Sequence, residues 1–204
     1  MFERSDRVGG RLDTYDFNGR AYEIGGTIIH SSNLYMKRFM EICGLKQRDI
    51  DESHDSMIIF DSNGIVLKQT GKWFDIVDKL RMFKHFGFFQ LLKLKSWIAA
   101  LVNDFSRIYK LQDKGVTFTS LKEFLANLSP NLYATSQSSL RKVMQEKGFN
   151  ARIIDHLASI ACLCNYGQSV DVDGFVGIIS LAGLIGDLYS IKGGNFQVPT
   201  KVCI

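Results

Sequence analysis

Apolar and polar residues alternate from Leu12 to Ile24 in the two-residue period of a strand, and the alternation breaks at Asn18-Gly19. That dipeptide suits a two-residue type I′ turn, whose central residues both take positive φ, so the stretch predicts a β-hairpin. Ser31, Ser32 and Asn33 then offer N-caps to a helix carrying Leu34, Phe39, Met40 and Cys43, with Gly44 as the left-handed residue past its end. A second hairpin is predicted from Met57 to Leu67, turning on Asn63-Gly64.

From Trp73 to about Leu128 the period becomes helical, most clearly at Leu94, Trp97, Ile98, Leu101, Val102, Phe105, Ile108 and Tyr109. Ser120-Leu121-Lys122-Glu123 has the form of a capping box, and further helices are predicted at about Ser136 to Lys147 and Arg152 to Leu163, with Gly148 as the stop between them. Strands first and helices afterwards predict an α/β chain that is α+β over this stretch, with a boundary near residue 71 and a mostly helical part over 72–204.

Composition narrows the function classes. With 204 residues, 46% of them apolar, the chain can bury a real core. The net charge of +4 is mild and the basic residues are spread along the chain, which argues against nucleic acid as a partner. The richest basic and aromatic stretch, Lys72 to Lys95, suits peripheral contact with an anionic membrane, although a solvated helix face is the commoner origin of such a pattern.

Cys43, Cys162, Cys164 and Cys203 form no Cys-x-x-Cys pair and have no histidine at ligand spacing, so no metal site is expected. Asn127-Leu128-Ser129 is a formal glycosylation sequon followed by Pro130. The nearly apolar run Phe175 to Gly186 is too short to span a bilayer, which takes about 20 residues.

Phe2-Glu3-Arg4 followed by Val8-Gly9-Gly10-Arg11 is the most informative block for chemistry. In a doubly wound nucleotide-binding fold, an acidic residue at a strand end accepts hydrogen bonds from ribose hydroxyls, the role Glu3 would take. Glycines let the backbone pass close to a pyrophosphate, and the Arg11 guanidinium can offset its charge with directed donors. Such a fold places its Gly-x-Gly-x-x-Gly loop about 20 residues before the ribose acid, so that loop is expected upstream of Met1. The plain structural alternative is a strand-end charge followed by a simple turn.

These residues resemble the segment after the first βαβ unit in the amine oxidase and phytoene desaturase superfamily of FAD proteins. Tyr22-Glu23-Ile24-Gly25-Gly26-Thr27-Ile28-Ile29-His30 is more narrowly similar to a stretch of the prenylcysteine oxidases. So are Cys164-Asn165-Tyr166-Gly167-Gln168-Ser169 with Asp171, Phe175-Val176-Gly177, and Lys192-Gly193-Gly194-Asn195. Met36 to Phe39 and Arg107 to Tyr109 follow the same order, so the likeness runs through nearly the whole chain.

The resemblance implies an FAD-binding doubly wound fold with a helical substrate part, of which this chain is a piece. It implies oxidative cleavage of the thioether of farnesyl- or geranylgeranyl-cysteine by molecular oxygen. The products would be cysteine, a prenyl aldehyde and hydrogen peroxide, formed in the lysosome during breakdown of prenylated proteins. It assigns Glu3, Gly9, Gly10, Arg11, Gly25 and Gly26 to the cofactor and names no catalytic base.

His30, beside the second Gly-Gly pair, either faces the flavin or is an ordinary hydrogen-bonded residue. Tyr166 and Gln168 either line the substrate cavity or mark a helix end at Gly167. The stripe from Trp97 to Tyr109 reads as core first and as a prenyl-binding wall second. His54, His85 and His156 show no partner at useful spacing. Two rivals stand beside this reading: another FAD oxidase or desaturase of the superfamily, and a non-catalytic remnant that binds lipid or protein.

Overall fold

The computed structural model describes residues 3–48, 58–61, 64–68 and 75–202. Phe2, His54, Met57, Asn63, Lys72, Trp73 and Cys203, on which parts of the reading above rest, lie outside the described residues. The chain divides into two compact units, Met1–Asp51 with Gly186–Ile204, and Glu52–Ile185. This corrects the boundary expected near residue 71: the second hairpin groups with the helices, and residues 186–204 join the amino-terminal unit.

In the first unit, β1 (Thr14–Phe17) and β2 (Arg20–Glu23) form the expected hairpin. Asn18 and Gly19 turn it at φ 53° and 74°, and the Asp16 carboxylate accepts the Gly19 N–H at 3.0 Å. β3 (Ile29–His30) pairs antiparallel with β6 (Leu188–Tyr189), far along the chain. Helix α1 (Leu34–Ile42) starts where expected, with Asn33 Oδ1 accepting the Met36 N–H at 3.1 Å. Gly44, at φ +61°, and the Leu45 N–H to Met40 carbonyl bond close its end. The buried apolar core is small, Ile29, Met40, Ile191 and Val198 beside helix α9 (Gln197–Val202), so polar contacts carry much of the burden here.

The second unit opens with the hairpin β4 (Ile58–Asp61) and β5 (Gly64–Lys68), whose register shifts between Ile59 and Phe60. Every strand pair among the described residues is antiparallel, so the elements seen are those of an α+β chain. The long helical stretch is two helices, α2 (Asp75–Phe86) and α3 (Phe88–Asp113), broken at Gly87 with φ +88°. On α3, Leu94, Ile98 and Leu101 are buried, which makes the predicted stripe core.

Helix α4 (Leu121–Leu128) has Ser120 as its N-cap, but Glu123 reaches back to the Thr119 N–H and hydroxyl rather than to Ser120. Those two bonds, the backbone one first, hold the Glu123 carboxyl below its ordinary range.

Residues 129–166 correct two expectations. Ser129 caps a short helix, α5 (Pro130–Thr135), with Pro130 in its first turn, and the next helix, α6 (Leu140–Glu146), starts at the Ser139 cap rather than near Ser136. The hydroxyl of the sequon's Ser129 donates to Asp104 at 2.5 Å and is buried. Ile153–Ala158 is a single π-helical turn leading into α7 (Ser159–Tyr166). Helix α8 (Gly174–Ala182) packs against α6 so closely that a Cβ on Gly177 would stand 2.6 Å from Leu140 Cδ2. No described helix is long and apolar enough to cross a membrane.

Two cysteines on α7 meet opposite surroundings. Cys162 is fully buried, and burial pushes its thiol above the ordinary value against the lowering hydrogen bond with Ser180, whereas Cys164 is exposed. Iodoacetamide should therefore alkylate Cys164 in the native protein and reach Cys162 only after unfolding, as peptide mass spectrometry would show. Equal labelling of both in the folded chain would contradict the packing of α7.

Candidate functional site

The turn from Gly9 to Leu12 is closed by the Leu12 N–H to the Gly9 carbonyl at 2.9 Å. The central amides, those of Gly10 and Arg11, take no part in that bond. Gly9 sits at φ +108° and Gly10 at φ +52°. A Cβ on Gly9 would meet Leu12 O at 2.9 Å and Pro199 Cγ at 3.1 Å, whereas one on Gly10 would meet nothing within 4 Å. The turn therefore packs on one side and stays open on the other.

The second glycine pair lies along this turn. Gly26 donates its N–H to Arg11 O at 2.9 Å, and a Cβ on Gly25 would stand 1.8 Å from that same oxygen. Only glycine lets the two backbones approach so closely.

Glu3 completes the arrangement. Its Oε1 accepts the Ser5 N–H at 2.9 Å and the Ser5 hydroxyl at 2.7 Å, and these bonds, the backbone one first, hold the exposed carboxyl below its ordinary range. Arg7 pairs with Asp13 at 2.8 Å and donates to the Gly10 carbonyl at 3.2 Å, which braces the turn from behind.

Glu3, Gly9, Gly10, Arg11, Gly25 and Gly26 thus line one cleft of about 940 Å³, with Leu12 and Pro199 among the apolar wall. Its chemistry is a carboxylate that can accept from hydroxyls, a turn whose central amides are not used in closing it, and the guanidinium of exposed Arg11. That set fits a ligand carrying both sugar hydroxyls and phosphate charge.

The sequence reading passed over the side chain that holds the second pair in place. Asn195 is 2% exposed. Its Nδ2 donates to the Gly26 carbonyl at 2.9 Å, its Oδ1 accepts the Ile191 N–H at 3.0 Å, and its own N–H donates to Glu23 Oε1 at 2.6 Å. The only signal was its place after Gly193-Gly194, because partners 169 and 172 residues away leave no local pattern.

The remaining candidates lie elsewhere. His30 is not among the residues lining this cleft. Its Nδ1 accepts the Ser32 N–H at 3.0 Å, and a Cβ on Gly186 would stand 2.8 Å from its Nε2, so the ring packs against the backbone at Gly186. Tyr166 ends α7, Gly167 is its left-handed cap at φ +62°, and Gln168 is exposed. The neighbouring motif residues tie helices together: Asn165 donates to Ser180 Oγ at 2.7 Å, and Asp171 accepts from Arg141 at 2.8 Å. His85 and His156, read as unpartnered, instead hydrogen-bond to each other at 3.0 Å.

Residues 69–203 match the family model described as prenylcysteine lyase. The chain is 33% identical over 203 residues to prenylcysteine oxidase 1 of Bos taurus, covering 99% of this chain and 39% of that protein. It is 32% identical to prenylcysteine oxidase 1 of Homo sapiens, over 96% of this chain and 38% of that protein. It is 34% identical to the prenylcysteine oxidase 1-like protein of Bos taurus, with 96% and 39% covered. The chain therefore spans about two fifths of the length of these relatives. Among solved structures it is similar to a putrescine oxidase bound to putrescine, with a TM-score of 0.62 at 15% identity over 98% of this chain and 42% of that one.

Proposed function

This chain belongs to the prenylcysteine lyase family, and from that premise we infer that it forms part of an FAD-dependent oxidase of prenylcysteine thioethers. The observation that carries the reading is the single cleft in which six residues from three separated stretches converge, offering hydroxyl acceptor, amides and guanidinium together. Glu3 would accept from the adenosine ribose hydroxyls. The Gly10 and Arg11 amides and the Arg11 side chain would take the pyrophosphate oxygens. Asn195 and Glu23, outside the cleft lining, keep Gly26 in position.

FAD supplies the two-electron acceptor for the carbon next to sulfur. Written as a whole, farnesyl- or geranylgeranyl-cysteine, oxygen and water become cysteine, the prenyl aldehyde and hydrogen peroxide. The contribution of the residues described here is to bind and orient the cofactor's phosphate end. Its affinity rests on donors already fixed by the turn, so little ordering is needed on binding.

Titration of the purified protein with FAD, followed by quenching of flavin fluorescence, should give saturable binding that Arg11→Ala weakens about tenfold, equivalent to about 1.4 kcal/mol. Adding farnesylcysteine without oxygen should then bleach the oxidised-flavin absorbance. Unchanged affinity in Arg11→Ala would remove this cleft from the cofactor site. Bleaching by putrescine and not by farnesylcysteine would replace thioether oxidation with amine oxidation.

A further inference from the structure

The second unit holds a concavity of about 500 Å³ whose wall carries four permanent cations, Lys68, Arg81, Lys84 and Arg152, together with His85 and the apolar face of β5. Among the described residues no carboxylate lines it. Its four cations come from three separate stretches of the chain, so groups dispersed in the sequence are gathered by folding into one hollow.

The gathering has a plain geometric cause. Arg81, Lys84 and His85 stand at i, i+3 and i+4 on α2 and share one helix face. Lys68 ends β5, and Arg152 comes from the start of the π turn, fixed by donating Nη1 to the His85 carbonyl at 3.1 Å. Arg81 is oriented by Asp78 at 3.2 Å. Lys68, Lys84 and Arg152 have no carboxylate partner among the described residues. Burial first, and then His156 and Arg152, hold His85 below its ordinary value.

Like charges in a concave site repel one another, and such a cleft concentrates anions. We propose that this cleft is a binding site for a phosphate-bearing anion, a phosphomonoester or diphosphate, whose oxygens meet the Arg81 and Arg152 guanidinium forks and the Lys68 and Lys84 ammonium groups. Guanidinium groups supply paired, directed donors to phosphate, and the lysines add charge without fixed direction. The β5 wall leaves room for an apolar portion beside the phosphate, so a free metabolite and a lipid headgroup share the same chemistry.

The test uses inorganic pyrophosphate in isothermal titration, and flotation with phosphatidylcholine vesicles with and without phosphatidic acid. Lys68→Glu with Lys84→Glu should weaken binding at least tenfold, while the charge-matched Lys37→Glu with Lys110→Glu changes it little. Rising salt should weaken binding of the unaltered protein. Saturable pyrophosphate binding identifies a soluble phosphate ligand, and binding only to vesicles bearing phosphatidic acid identifies a headgroup.

No binding of either probe at millimolar phosphate would overturn the proposal. Equal losses in the two charge-reversed pairs would do the same, as would pyrophosphate binding lost in Arg11→Ala but kept in the Lys68/Lys84 pair. FAD affinity should be unchanged in that pair, which keeps this result separate from the fate of the cofactor cleft.

Discussion

Replacing Gly25 with alanine is expected to destabilise the protein by at least about 3 kcal/mol, because the new methyl would fall 1.8 Å from the Arg11 carbonyl oxygen. The obstacle is backbone, which has no rotamer to yield, and moving it means breaking the Gly26 N–H to Arg11 bond of 2.9 Å. For a chain of this size the loss corresponds to a thermal midpoint lower by roughly 6–12 °C. Gly10→Ala is the control. It has open space around its Cβ and strains only a φ of +52°, so it should cost about 1 kcal/mol. Equal midpoints for the two variants would mean that the two glycine loops do not touch. On the proposed reading, flavin affinity should fall with Gly25→Ala at temperatures well below the midpoint, since the displaced turn carries Gly10 and Arg11 of the cleft.

Asn195→Ala is expected to cost about 2–4 kcal/mol. The side chain is 2% exposed, and its removal leaves the Gly26 carbonyl and the Ile191 N–H without their partners at 2.9 and 3.0 Å. Asn195→Leu should be no better, because a similar volume without polar atoms leaves the same two groups unsatisfied. The effect is local, since the surrounding buried core among the described residues is the small cluster of Ile29, Met40, Ile191 and Val198. Hydrogen exchange should show the Ile191 and Asn195 amides losing protection in both variants, with the buried amides of α3 unchanged. Uniform loss of protection through α3 would show that the two units unfold as one.

Much of the local structure was legible. The Asn18-Gly19 turn, the Asn33 cap, the Gly44 stop and the Ser120 cap each follow from chemistry that acts over four residues or fewer, and all are found where the spacing puts them. The α3 stripe was legible for the same reason, as its period reflects one face turned to the interior. The misplaced start of α6 came from Ser129 and Pro130, which open a short helix of their own before the Ser139 cap. The break at Gly87 was hidden because apolar residues continue on both sides of it at helical spacing.

For the first cleft, residue type and the family resemblance together named the lining groups. Glu3, Gly9, Gly10, Arg11, Gly25 and Gly26 could therefore be named without coordinates, and they do line one cleft. His30 shared their neighbourhood in the chain but is not among the residues lining that cleft, and its ring meets the Ser32 N–H and Gly186. Tyr166 ends α7, Gly167 caps it in the left-handed region, and Gln168 follows exposed.

By itself, then, the amino-acid order determined the hairpin turn, the caps and the helical stripe, because each depends on neighbours a few positions away. Tertiary structure alone decided that residues 186–204 join the first unit, that Asn195 secures Gly26, that His85 meets His156 and that four scattered cations share one hollow. Asn195 and Gly26 stand 169 residues apart and His85 and His156 stand 71 apart, where no periodicity reaches and only the packing of buried surfaces brings the groups together.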